Sequence, residues 1–240
     1  MKENKNTSSS VQTVTLLKNT LETKFVDAMV LVTYHPRSVL AGGFELEDGI
    51  VEDLRKFKQP KLLYPKEKWP AVKLKKLGFD SEFDKDGVLL TGGVADNHCA
   101  VAVETSDRIG MAKLGSVVKK AKVLVGHSVS GDLDHLVLLG LATDDWLRGK
   151  NVRDSFLLAR MHNENGGKGA YGLETLLLSE FNTDGWKAET EKLIKKTGNA
   201  ADWTPEQRIA RCRLDAWATV VLAEYFEKEL LRDGEWSDHP

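Results

Sequence analysis

Only two cysteines, Cys99 and Cys212, occur in 240 residues. That is too few for the cross-linked framework of a small secreted domain, so a disulfide scaffold is excluded and a reducing compartment fits. No apolar run is long enough to span a bilayer, and no membrane partner is expected. Neither sign of charge is in excess: a formal net charge of −2 argues against a highly basic coating protein. Any nucleic-acid contact should therefore be a local patch. Internal repeats and long low-complexity stretches are also missing. The opening run, Met1 to Ser10, is polar and lacks the apolar core of a secretory signal. It is expected to form a flexible tail over residues 1–12, in a cytoplasmic protein rather than a secreted one. What is present is enough apolar residue, 41%, for a real core. The length suits one sizeable domain with an appendage, or two small ones.

The patterning predicts strands near residues 72–80, 87–95 and 98–104, the last two as a hairpin around Asp96-Asn97. A helix near 108–121, a strand over 122–126 and further helices follow. Strands first, then helix and strand in alternation, imply an α/β fold with a mixed sheet flanked by helices. Ahead of it, residues 13–70 read as a small β-α extension with a helix around Val14 to Leu21, and a Pro-containing connector runs from Gln59-Pro60 to Trp69-Pro70. The main domain is expected over 71–240.

Four carboxylates stand out within that domain. Asp80 and Glu82 lie two apart at the close of a strand, so both side chains leave the same face. Val123-Leu124-Val125 leads into Gly126-His127, and Asp132 then falls in the first turn of a helix for which Ser130 is a plausible N-cap. Taken alone, Asp132 could simply complement the helix dipole, and so could Asp134. Thr204-Pro205-Glu206-Gln207 is a capping-box arrangement with Pro at the first helical position. Apolar residues from Ile209 to Leu230 then recur at three- and four-residue steps, with Asp215 bordering the stripe. A charge at the edge of a core needs a partner, and a metal is a natural one. Carboxylates without thiolate or imidazole ligands favour hard cations, Mg²⁺ or Mn²⁺, over Zn²⁺.

Asp80-x-Glu82, Gly126-His127 with Asp132 five residues after the His, and Asp215-Ala216-Trp217-Ala218-Thr219 occur in the order found in the DEDD superfamily of 3′→5′ exonucleases. Residues 72 to 231 resemble that group, which includes RNase D and the proofreading domains of family A DNA polymerases. The resemblance implies a ribonuclease H-like architecture. It also implies two Mg²⁺ or Mn²⁺ ions on Asp80, Glu82, Asp132 and Asp215, and hydrolysis at the 3′ end of single-stranded DNA, with RNA as the second choice. Two ions suit the chemistry because charge builds on both the entering and the leaving oxygen.

The pattern departs mildly at Ser128, where relatives often carry Asn, and more sharply ahead of the last Asp. Relatives put a Tyr four residues before the last Asp or a His five before it, and here those positions hold Arg211 and Ala210. Arg211 is one helical turn from Asp215 and could pair with it, or it could grip the scissile phosphate. If the water-positioning group is lost, the chain is instead a module that holds nucleic acid or a polymerase without turnover. His127 and Tyr171 are candidates to supply that group. Lys168, Tyr171, Lys187, Lys192, Lys195, Lys196 and Trp203 mix charge with aromatic rings, the combination that tracks a single strand. Each lysine taken singly reads as solvated surface. Val152 to Arg160 and Tyr171 to Leu177 resemble the intervening segments of the family.

Further upstream, Val30 to Leu40 with His35-Pro36, followed by Val51 to Phe57, resembles the C-terminal motif and last helix of uracil-DNA glycosylases. The water-activating front half of such an enzyme is absent, which implies a remnant; a plain bridging strand and helix is the other reading. Some viral and phage family A polymerases carry a similar region ahead of the exonuclease. On that likeness a polymerase module is the expected partner.

Overall fold

The computed structural model describes residues 62–71, 76–138, 151–167, 169–181 and 199–232, with residues 140, 143, 145, 183 and 185–187 between them. Chain contacts separate two units, Met1–Pro60 and Lys61–Pro240, and every described residue lies in the second. The expected helix near Val14, the His35 motif and its helix, and Lys168, Lys192, Lys195 and Lys196 lie outside the described residues.

Six strands form one mixed sheet. In chain order they are β1 (Lys66–Glu67), β2 (Lys76–Phe83), β3 (Leu89–Ala95), β4 (Cys99–Glu104), β5 (Val123–Gly126) and β6 (Asn151–Asp154). Their spatial order is β1-β4-β3-β2-β5-β6. An antiparallel meander, β2 to β4, is continued on one side by the parallel pair β5 and β6 and closed on the other by β1. The turn between β3 and β4 falls at Asp96-Asn97, as the sequence predicts. There the Asp96 side chain accepts the N–H groups of His98 and Cys99 at 2.8 and 2.7 Å. The stretch read as a connector does more than join: it carries β1, and Tyr64 packs its ring 5.6 Å from that of Trp217.

Among the described residues, five helices cover the sheet: α1 (Arg108–Lys120), α2 (Ser130–Leu138), α3 (Ser155–His162), α4 (Leu173–Glu180) and α5 (Pro205–Arg232). Alternation along β2 sorts them. Leu77 and Phe79 point into a core shared with Leu114, Val118 and Leu136 of α1 and α2. The opposite face meets α5, whose Ala216, Val220 and Phe226 pack with α3 and α4. The α5 N-terminus forms the expected reciprocal cap: Gln207 N–H donates to Thr204 Oγ1 at 3.3 Å and Thr204 N–H to Gln207 Oε1 at 3.0 Å. Farther along, Glu227 accepts from Lys76 of β2 and from Arg153 Nε of β6 at 3.1 Å, fixing the helix across the parallel strands.

Two glycines let α5 lie directly on the sheet. A Cβ on Gly78 would stand 2.1 Å from the Ala216 carbonyl oxygen, and one on Gly93 would stand 2.8 Å from that of Cys212. Gly93 is the cross-strand partner of Asp80, and Gly78 lies on the same face two residues before it. The closest approach of helix to sheet is therefore beside Asp80. Among the described residues, no helix is long and apolar enough to cross a membrane.

Candidate functional site

Asp80 sits inside β2 rather than at its end, because the strand continues to Phe83. It shares its face with Glu82, and α5 brings Asp215 down onto both. One carboxylate oxygen from each of Asp80, Glu82 and Asp215 lies within 4.8 Å of the others. Asp215 is 4% exposed, and Asp80 Oδ2 is buried with no hydrogen-bond partner among the described residues. Three acids this close in a dry place repel one another. Burial pushes the Asp80 carboxyl well above the usual range, and the charges of Asp215, Asp132 and Glu82 push it further. Glu82 is raised to about 7, first by burial and then by Asp215, against the pull of Arg211 and Lys187.

The fourth expected carboxylate is placed differently. Asp132 lies in the first turn of α2, on the other face of the sheet, and accepts a hydrogen bond from Ser81, whose hydroxyl is also 3.2 Å from His135 Nδ1. Ser81 stands between Asp80 and Glu82 on β2 and so points away from them. Asp132 is therefore outside the three-membered group, although its charge is felt by both Asp80 and Glu82. Burial raises it to about 6, while the Ser81 contacts lower it. The expected cap at Ser130 does not form. That residue is already helical, and the helix opens with Leu133 N–H on the Val129 carbonyl.

Arg211 lies against the cluster, its Nε 3.3 Å from Glu82 Oε1 and 3.6 Å from Asp215 Oδ2, with the guanidinium 5.0 Å from the Trp203 ring. Two further neighbours of Asp215 belong to the segment after α4. Trp186 Nε1 donates to Oδ1 at 2.7 Å, and Lys187 Nζ is 2.8 Å from Oδ2. Glu174 of α4 holds that segment by accepting both backbone N–H groups, that of Lys187 at 2.8 Å. Lys187 was legible only as one lysine in a basic and aromatic mix. No signal in the sequence marked Trp186 or Glu174, because only folding brings that segment to Asp215.

A groove of about 490 Å³ is lined by His127, Ser128, Phe156, Tyr171 and the glycines Gly166, Gly167, Gly169 and Gly172. His127 and Phe156 meet edge to face at 5.7 Å, and Phe156 and Tyr171 at 5.8 Å. His127 Nδ1 is 2.9 Å from Ser155 Oγ, and burial lowers the pKa of its imidazole. The Tyr171 hydroxyl accepts from Gly166 N–H at 2.8 Å and donates to the Asn163 carbonyl, so it is occupied in stapling its own loop. Ser128 holds a φ of 56°, a left-handed conformation uncommon outside glycine. Asp154 holds it there, accepting the N–H groups of Ser128 and Val129 at 2.9 and 3.1 Å.

The donor set fits a hard divalent cation: clustered carboxylate oxygens, one of them buried and unpaired. Cys212, whose sulfur lies beside Asp80, offers no thiolate. Burial raises its thiol well above the usual range, and its Sγ donates to the Asp80 carbonyl at 3.3 Å. A scan against models of known protein families matches none, and a search of curated proteins finds no significant match.

Proposed function

We propose that this chain is a divalent-metal-dependent 3′→5′ exonuclease acting on single-stranded or frayed ends, DNA before RNA. The observation that carries the reading is the convergence of Asp80, Glu82 and Asp215 from β2 and α5, with a buried Asp80 oxygen left unpaired. The sheet supports it as well, since a three-stranded meander continued by two parallel strands agrees with a ribonuclease H-like architecture. When bound, divalent ions activate water and stabilise the charge that builds on the entering and leaving oxygens. Asp80, Glu82 and Asp215 would hold them, and Asp132 adds negative charge from the other face. Arg211 borders the cluster, against Glu82 and Asp215. The groove beside His127, Phe156 and Tyr171 offers ring edges and a glycine-lined floor to a nucleotide.

Degradation of a 5′-labelled DNA strand and its RNA counterpart with Mg²⁺, Mn²⁺ or EDTA tests this. The expected result is a metal-dependent ladder shortening from the 3′ end and abolished in Asp80→Ala. A ladder that persists in that variant would rule out the assignment.

One observation favours a second reading. Asp215 is engaged by Lys187 and Trp186, and Arg211 stands where a water-positioning Tyr is expected. A module that holds nucleic acid or a polymerase without turnover would show strand binding and no ladder in either metal.

A further inference from the structure

Two cations are built into the acidic cluster. Lys187 and Arg211 contact Asp215 and Glu82 at 2.8 to 3.6 Å, and their side chains are only 12% and 14% exposed. Burying charges to that extent costs desolvation that a surface pair avoids. Each cation is also held by something other than the acids. Glu174 fixes the backbone that presents Lys187, and Trp203 lies against the Arg211 guanidinium. Their positions are thus set by the fold and not by the cluster's charge alone.

When ionised, the three clustered carboxylates carry three negative charges and Asp132 adds a fourth from the other face of the sheet; Lys187 and Arg211 balance two of them. The remainder is the charge of one divalent ion. A second ion would leave a buried site net positive, close to an ammonium and a guanidinium, where like charges repel strongly. Access points the same way. Both oxygens of Asp215 already have partners, Trp186 on Oδ1 and Lys187 on Oδ2, whereas the unpaired oxygen is on Asp80.

We infer that Lys187 and Arg211 take the place of one of the two ions expected of a four-carboxylate site, so that the cluster takes a single divalent ion at Asp80 and Glu82. This rests on the metal-dependent reading above and departs from its expected pair of ions. In this arrangement Lys187 and Arg211 are positioning residues, holding Asp215 and Glu82 in the geometry that an ion would otherwise impose.

Titration of the whole chain with Mn²⁺ alone, free ion being read by electron paramagnetic resonance, tests the inference without any nucleic acid. Wild type should bind one ion and Asp80→Asn none. Lys187→Gln and, independently, Arg211→Gln should either gain a second ion or bind the first about tenfold more tightly, because a repelling charge is gone. Lys187→Arg, which keeps the charge, should behave as wild type; circular dichroism establishes that each variant is folded. Two ions of similar affinity in wild type would overturn the inference. Unchanged Mn²⁺ binding in both folded Gln variants would do the same, and either result would leave the metal site standing. No Mn²⁺ binding at all overturns the metal-dependent reading with it. One bound ion with no cleavage of any strand removes the exonuclease and keeps the single-ion site.

Discussion

A carboxylate outside the cluster, Asp154, accepts three backbone N–H groups, those of Ser128, Val129 and Phe156. It caps α3 and at the same time pins the turn that carries His127 into the groove. Replacing it removes a helix cap, worth about 1 kcal/mol, and strands two further donors. Asp154→Ala should therefore cost roughly 2–4 kcal/mol in chemical denaturation, while Asp154→Asn, which keeps an acceptor, should cost less. A loss below ~1 kcal/mol in the alanine variant would show that the turn holds itself. Asp80 and Glu82 were legible because strand alternation puts both on one face. By that same rule Ser81 faces the other way and holds Asp132, which spacing from His127 alone could not anticipate. Tyr171 was legible as an aromatic ring beside lysines, but the use of its hydroxyl within the 163–171 loop depends on a turn that no periodicity announces. Trp186 reaches Asp215 only through the path of the chain after α4.

At the scale of elements, the contact of α5 with β2 and β3 decides whether a site exists. The helix itself was readable from its capping box and apolar stripe, and its N-terminus forms as expected. Its depth on the sheet was not readable, because that depends on Gly78 and Gly93 standing under particular carbonyls. Gly78→Ala would drive a methyl into the Ala216 carbonyl, so the helix must rise. The expected cost is about 1–3 kcal/mol, measured by denaturation, together with weaker Mn²⁺ binding as Asp215 moves away from Asp80. Normal stability combined with normal ion binding in that variant would show that the helix is not held against β2 as described. Alanine at Gly87, where a Cβ would meet nothing within 4 Å but φ is +78°, separates backbone strain from crowding. It should lower stability and leave ion binding intact.

For the whole molecule, the raised acids link stability to pH. Glu82 and Asp132 titrate near 7 and near 6 when folded, above their ordinary values of 4.5 and 3.8. The folded state thus holds protons that the unfolded state has released. Their contribution is full below the ordinary carboxylate range and is lost as pH rises through about 6 to 7. Metal-free protein should accordingly melt at a lower temperature at about pH 8 than at about pH 5. Mn²⁺ competes with those protons, so its stabilising effect should grow over the same interval. Thermal melts with and without the ion read both, and an ion-induced shift equal at the two pH values would contradict the linkage. Assembly order follows from the distance along the chain between β2 and α5. Asp80 and Glu82 leave the ribosome well before Asp215, and the face they share stays uncovered until α5 arrives. The two segments meet only by closing a loop that contains most of the domain, a slow step for any chain. A nascent chain thus cannot assemble the three-acid cluster until α5 has been made and has docked on β2.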